Sequence, residues 1–375
     1  MPRRLDALDQ LRGLLMVLMA VDHASYFVGN RHPLEFWGVP LPAYDATPAG
    51  TGWLLTRIVT HVCAPGFFLL MGASMVLFAD GRRAAGWSEA RIRRYWITRG
   101  LLLLVLQQLV ENPAWLLGTL DDPVGTVVPG AWLLRAPTAV LAVLAPAAVL
   151  TAAALVPPAG SAAAPLAPLR LLLVTPGRTG MWQVFYPALP WTGVAAAGLV
   201  LGRAVRRVPA RPPRAAALVG VGLLAAFVGA RFLPGALGVW LNVTVPPGPG
   251  WRAALAVVKY PPAPTYLLLT LGVVLVLLGG LARVPRAGGV RGAAGDGGDG
   301  RGRNGPLLVF GQTALFFYLL HLHVYALLGL ALPGPHALGV TYAAWAAGLV
   351  PLYAACRGYR TFKTRRPPGS RWRLV

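Results

Sequence analysis

Residues 16–28, MVLMAVDHASYFV, are apolar enough to lie in lipid, except that Asp22 and His23 stand side by side near their middle. An ionisable group inside a membrane helix costs a few kcal/mol or more, so it is usually paired, turned towards the bundle interior and tied to function. The flanking residues extend this stretch into a helix long enough to cross a bilayer. The rest of the chain repeats that pattern.

The 375 residues are 56% hydrophobic and 12% charged, with a mean hydropathy of +0.60. A soluble globular domain does not carry that balance. Apolar runs of about 20 residues recur between short polar breaks, each enough for one helical crossing, and the alternation of a membrane barrel is missing. The class is therefore all-α, a polytopic transmembrane helix bundle. A net charge of +22 would suggest nucleic acid in a soluble protein. Here the arginines gather in particular loops, which is a topology signal and argues against a nucleic-acid partner. Cys63 and Cys356 both fall within apolar runs, so no disulfide framework is indicated. Abundant Ala, Arg, Gly and Pro with scarce Lys resembles GC-rich bacterial coding, which places the chain as a multi-pass protein of a bacterial inner membrane. Asp6, Asp9 and Arg12 interrupt any cleavable leader, so the first span is expected to stay in the mature protein.

Nine clear spans follow from the apolar runs: 10–28, 54–78, 96–117, 134–156, 185–204, 214–234, 262–282, 306–331 and 338–356. Basic segments at the amino end, 82–94, 203–214, 283–303 and after Arg357 are expected on the cytoplasmic side. The acidic loop 118–129 is expected outside, and alternation then requires one more crossing before residue 203. The stretch 159–180 is the candidate, short and carrying Arg170, with a re-entrant segment as its alternative. The reading is about ten spans in one domain over 1–375, with both termini cytoplasmic. Residues 287–305 read as a flexible cytoplasmic Gly/Arg-rich linker, and 357–375 as a basic cytoplasmic tail.

Helix rise converts position into depth. His23 lies about 20 Å along an outward-running first span and His61 about 10 Å below the outer end of an inward-running second. Glu111, Asn112 and His321 fall near the same level, so four helices offer polar groups in the outer third of the membrane. Asp22 has the chemistry to orient an imidazole and stabilise its protonated form, but adjacent residues point about 100° apart on a helix, so its partner is expected on another helix. Arg57, one turn from His61, faces the same way and is a candidate counter-ion for Asp22 or Glu111. Arg99 opens the third span, where snorkelling is the bland explanation. His321 and His323 point to different sides of a helix, so no metal site is expected.

Six stretches occur in this order: LDALDQLRGLLMVLMAVDHASYF, TRIVTHVCAPGFFLLMGAS, RYWITRGLLLLVLQQLVENP, YPALPWTGVAAAGLVLG, KYPPAPTYLLLTLG and VFGQTALFFYLLHLHVY. Together they resemble the bacterial branch of the heparan-alpha-glucosaminide N-acetyltransferase family, also labelled as a domain of unknown function. The resemblance covers nearly the whole chain, with a gap at 157–180. It implies transfer of an acetyl group from cytoplasmic acetyl-CoA to an amino sugar, or another small-molecule or glycan acceptor, on the far side. His23 and His61 are then the leading base or acyl carrier, with Asp22 beside them. Animal members place the active histidine in the first outer loop, where Arg31 and His32 stand here with different spacing and neighbours. Arg57, Glu111, Asn112 and His321 would line or orient the acceptor site, and Arg93, Arg94 and Arg99 would hold CoA phosphates. Membrane lipid is the surrounding partner, and assembly as a homodimer is left open. The rival readings are a proton-coupled transporter or flippase of a polar or lipid-linked solute, and a scaffold that only binds lipid or partners. The scaffold leaves the converging ionisable groups unexplained.

Overall fold

The computed structural model describes residues 6–31, 35–37, 47–117, 130–157, 168–179, 182–207, 212–244, 250–283, 305–367, 370 and 372. The sequence-predicted His32, the acidic loop 118–129 and nearly all of the linker lie outside them. The described chain is an all-α membrane bundle with one small hairpin.

In chain order, α1 (Asp6–Phe27) is followed by α2 (Pro48–Thr60) and α3 (Cys63–Ala84). The expected second span is thus one 37-residue helical rod interrupted at His61 and Val62. Pro65 explains the interruption, because it has no N–H to give to the carbonyl four residues back. That carbonyl belongs to His61, and the Tyr266 hydroxyl takes its place as donor at 2.9 Å. Next come α4 (Glu89–Leu106), a π-helical segment (Gln107–Glu111) and α5 (Asn112–Trp115). Pro113 acts in the same way there: Asn112 N–H bonds back to the Gln107 carbonyl, five residues away, and the helix widens by one residue.

The chain continues through α6 (Gly130–Leu133), α7 (Thr138–Ala154) and α8 (Pro168–Leu173), then the antiparallel strands β1 (Gly177–Thr179) and β2 (Trp182–Val184). It ends with α9 (Ala188–Arg207), α10 (Pro212–Arg231), α11 (Gly235–Asn242), α12 (Trp251–Leu255), α13 (Pro264–Leu281), α14 (Pro306–Gln312), α15 (Ala314–Ala331) and α16 (Leu338–Thr364). Among the described residues, six helical segments are long and apolar enough to cross a membrane: the α2–α3 rod, α9, α10 from Arg214, α13, α15 and α16. Helices α1, α4 and α7 run alongside them. Cys63 and Cys356 are both buried and unbridged.

Contacts between helix ends give their directions. Arg83 pairs with Asp80 at 2.8 Å and with Glu89, Arg206 reaches Asp80 at 3.3 Å, and Arg135 lies 4.0 Å from Glu89. These residues mark one basic end of the bundle. Arg203, at the same end of α9, donates to Thr138 Oγ1 and the Leu134 carbonyl, both at 3.0 Å. Helix α7 therefore starts at the basic end and runs antiparallel to α9, opposite to the direction expected from the sequence. The extra crossing sought at 159–180 is not there: α8 has six residues, about 9 Å of rise, and leads straight into the hairpin. Arg170 instead caps the end of α7, donating to the Leu155 carbonyl at 2.9 Å. Helices α5 and α6 therefore lie towards opposite ends of the bundle.

Small residues let backbones touch, the usual basis of helix association in lipid. Gly72 of α3 abuts the Ala195 carbonyl of α9, and Gly198 abuts that of Leu69. Gly13 of α1 sits against the Leu307 carbonyl, and Gly311 against that of Asp9, where α14 crosses α1. Arg12 ties the crossing down through Asp9, the Gly311 carbonyl and Ser74 on α3. Gly13→Ala should lower stability by about 1–3 kcal/mol, because its Cβ would meet backbone that cannot swing aside. Gly81→Ala, which meets nothing within 4 Å, should leave it unchanged or slightly raised. Thermal unfolding in detergent micelles checks the pair, and equal effects would refute the close-packed crossing.

Candidate functional site

Asp22 and His23 leave α1 in different directions and enter two neighbouring polar clusters. In the first, the guanidinium of Arg57, one turn before the α2–α3 break, is buried and joins two carboxylates. Its Nη1 donates to Asp22 Oδ1 at 2.7 Å, while Nε and Nη2 form a fork onto Glu35 Oε1 and Oε2 at 2.7 and 2.8 Å. Thr60 Oγ1 adds a bond to Asp22 Oδ1 at 2.9 Å. Of the two carboxylates the sequence offered as partners for Arg57, Asp22 takes the role. His61 faces the same cluster, with Nε2 at 3.8 Å from Glu35 Oε1 and Nδ1 without a partner.

Glu35 and Lys259 are the residues that the sequence reading missed. The segment after α1 folds back so that the Lys259 and Tyr260 amides donate to the Glu35 carbonyl at 3.1 and 3.0 Å, and Trp37 N–H donates to Tyr260 O at 2.9 Å. Phe36, Phe185 and Tyr260 rings pack over this join. Burial pushes the Glu35 carboxyl up, but the charge and hydrogen bonds of Arg57, together with the nearby His61 and Lys259, outweigh it and hold the group at about 2. One signal for Lys259 was present: it and Lys363 are the two lysines among 34 basic residues.

The second cluster joins α1 to α15. His23 Nδ1 lies 2.6 Å from His321 Nε2, with the two rings stacked at 4.8 Å. His321 Nδ1 faces two carbonyls, Tyr318 O at 2.6 Å and Phe317 O at 3.2 Å. Carbonyls accept hydrogen bonds, so Nδ1 of His321 carries the proton and its Nε2 must accept. The shared bond is then donated by His23 Nδ1–H, which puts the lone pair of His23 on Nε2. This tautomer follows from the partners rather than from observed hydrogens.

Trp115 packs edge-on against His23 at 4.9 Å and also touches Tyr26 and Phe27. Glu111, one turn earlier on the π segment, is fully buried, and neither carboxylate oxygen has a hydrogen-bond partner among the described residues. The Tyr318 hydroxyl is its polar neighbour. Asn112, predicted to face the site, instead ties the widened turn together, donating to Gln108 at 2.7 Å and accepting from Gln107 at 3.1 Å. Arg93 and Arg94 are exposed on α4 near the basic end, and Arg99 is half-buried on the same helix. The structure thus brings Asp22, Arg57 and His61 together and, separately, His23 and His321, while the three arginines stand apart.

Removing Arg57 would strand two carboxylates in an apolar surround, and Arg57→Ala should cost roughly 3–5 kcal/mol. The depressed Glu35 carboxyl contributes stability that is complete above its ordinary value of 4.5 and is lost as pH falls towards about 2. Thermal unfolding from pH 6 to pH 3 should therefore decline more steeply for the wild type than for Glu35→Gln. Parallel curves would show that the pairing adds nothing.

The chain matches the acyltransferase-domain family over residues 5–356, nearly its whole length, and it belongs to that family of membrane acyltransferases. No curated protein matches it at a significant level.

Proposed function

Proceeding from membership of this acyltransferase family, we propose that the chain moves an acetyl group from acetyl-CoA at the basic end to an amino sugar or other glycan acceptor near the opposite end. The observation that carries the reading is the His23–His321 pair, because its tautomer leaves a basic nitrogen on a buried and rigidly held imidazole. His321 does for His23 what a carboxylate does in a hydrolase triad, holding the ring in one tautomer and orientation. His23 Nε2 takes the proton of the acceptor amine or hydroxyl as that atom attacks the thioester carbonyl. The tetrahedral intermediate then collapses, the carbon–sulfur bond breaks, and the proton passes from His23 to the departing thiolate. Direct acylation of His23 Nε2 before transfer is the variant of the same chemistry.

Arg57 acts as a positioning residue, since all three of its nitrogens donate to carboxylates. Glu111 and Trp115 line the acceptor side of His23. Arg93, Arg94 and Arg99 would meet the donor phosphates, and the basic end would face the cytoplasm of an inner membrane. The resemblance to the bacterial branch of the heparan-alpha-glucosaminide N-acetyltransferases supports an amino-sugar acceptor.

Loss of radiolabelled acetyl from acetyl-CoA in proteoliposomes, with a panel of amino sugars, tests this directly. His23→Ala should lower turnover by about 10²–10⁴. His321→Asn should lower kcat with little change in acceptor KM, the mark of an orienting group. Label that stays on CoA with every acceptor would overturn the reading.

A further inference from the structure

Lys259 is 5% exposed, its ammonium makes no hydrogen bond or ion pair with any described residue, and it lies over the Tyr260 ring, 5.1 Å from the centroid, within electrostatic reach of Glu35 and His61. An ammonium has three donors, and in so enclosed a site they are left for water or a ligand to meet. The neighbouring His61 is 3% exposed and its Nδ1 is likewise unpartnered. The Nε2 of His61 is the nitrogen that faces Glu35, so the ring proton is favoured there and Nδ1 presents a lone pair. One cluster therefore holds an unmet set of donors and an unmet acceptor.

Charge decides what could satisfy both. Among the described residues, Arg57 and Lys259 balance Asp22 and Glu35 when His61 is neutral, so these five groups together add no net charge. An anion would meet Lys259, but it would add an uncompensated buried charge and could not donate to His61 Nδ1. A hydroxyl group accepts from an ammonium, donates to an imidazole lone pair and leaves the balance untouched. We propose that Lys259 and His61 form a subsite for a neutral polyol, the adjacent hydroxyls of a sugar ring, one helix step around α1 from His23. The identity of that polyol as the acetyl acceptor rests on the function proposed above, but the binding itself does not.

The test is equilibrium calorimetry on the purified full chain in nanodiscs without donor. The probes, used at about pH 9, above the range of such amines so that the sugar is neutral, are glucosamine, its 3-, 4- and 6-deoxy analogues, and glucuronate. Wild type should bind glucosamine and lose about ten- to a hundredfold in affinity for at least one deoxy analogue, the worth of one hydrogen bond to a charged group. Lys259→Met should weaken glucosamine by a similar factor and no longer discriminate against that analogue. His61→Phe should do the same, which keeps the test alive if Lys259→Met does not fold. The double variant Glu35→Gln/Lys259→Met restores charge balance without restoring the donor, so it should stay weak.

Recovery of wild-type affinity in the double variant would show that Lys259 only balances charge, and would overturn the subsite. Stronger binding of glucuronate that depends on Lys259 would replace it with an anion site. Wild type that binds none of these sugars would also overturn it. Lys259-dependent binding without acetyl-CoA consumption would leave the subsite standing and remove the transferase reading, whereas the converse result would do the opposite.

Discussion

The pairing of Arg57 with Asp22 and Glu35 sets the geometry on which both polar clusters depend. In lipid no solvent competes for these groups, so each charge must be answered from within the protein. A single guanidinium answers two carboxylates from two segments, and this fixes the rotation of α1 against α2. Once Asp22 is committed to α2, helical geometry turns His23 by about 100°, onto α15 and its histidine. The adjacent acid and imidazole, which helix geometry sends in different directions, are the hinge between two polar clusters.

Proline does the second half of the work. Pro65 and Pro113 each withdraw a backbone donor near the level of the site. The first frees the His61 carbonyl for Tyr266, and the second widens α4 into a π turn that carries Glu111. Helix interruptions cost backbone bonds, and in this chain they occur where polar side chains collect rather than where helices merely end.

Much of this was legible in advance. Apolar run length shows the helix class, and counting rise along the helices brings His23 and His321 to one depth. The one-turn spacing of Arg57 and His61 predicts their common face. Glu35 and Lys259 escaped because neither lies on a regular helix, so no periodicity aims them inward; a return of the backbone joins them. The direction of α7 escaped for a related reason. Span counting places crossings where apolar runs are long, and residues 118–129 contain no such run. Arg135, the one basic residue between Arg99 and Arg170, was the contrary signal, since it shares an end with Glu89 and Arg203.

The division into two clusters also bears on how one buried site could manage group transfer. A base must change its charge during the reaction, and each such change is costly where neighbouring charges are already balanced against one another. His23 stands on another face of α1. It lies beside His321 and aromatic rings, while Asp22, Glu35 and Arg57 are paired with one another one helix face away. Under the proposed reading the first cluster holds and recognises, and the second moves the proton. Arg12 near the basic end and His23 on the same helix are eleven residues apart, about 16 Å of rise. A donor with a long flexible arm can bridge that depth with its phosphates still among the arginines, so the charged part of the donor need never enter the lipid-level chamber.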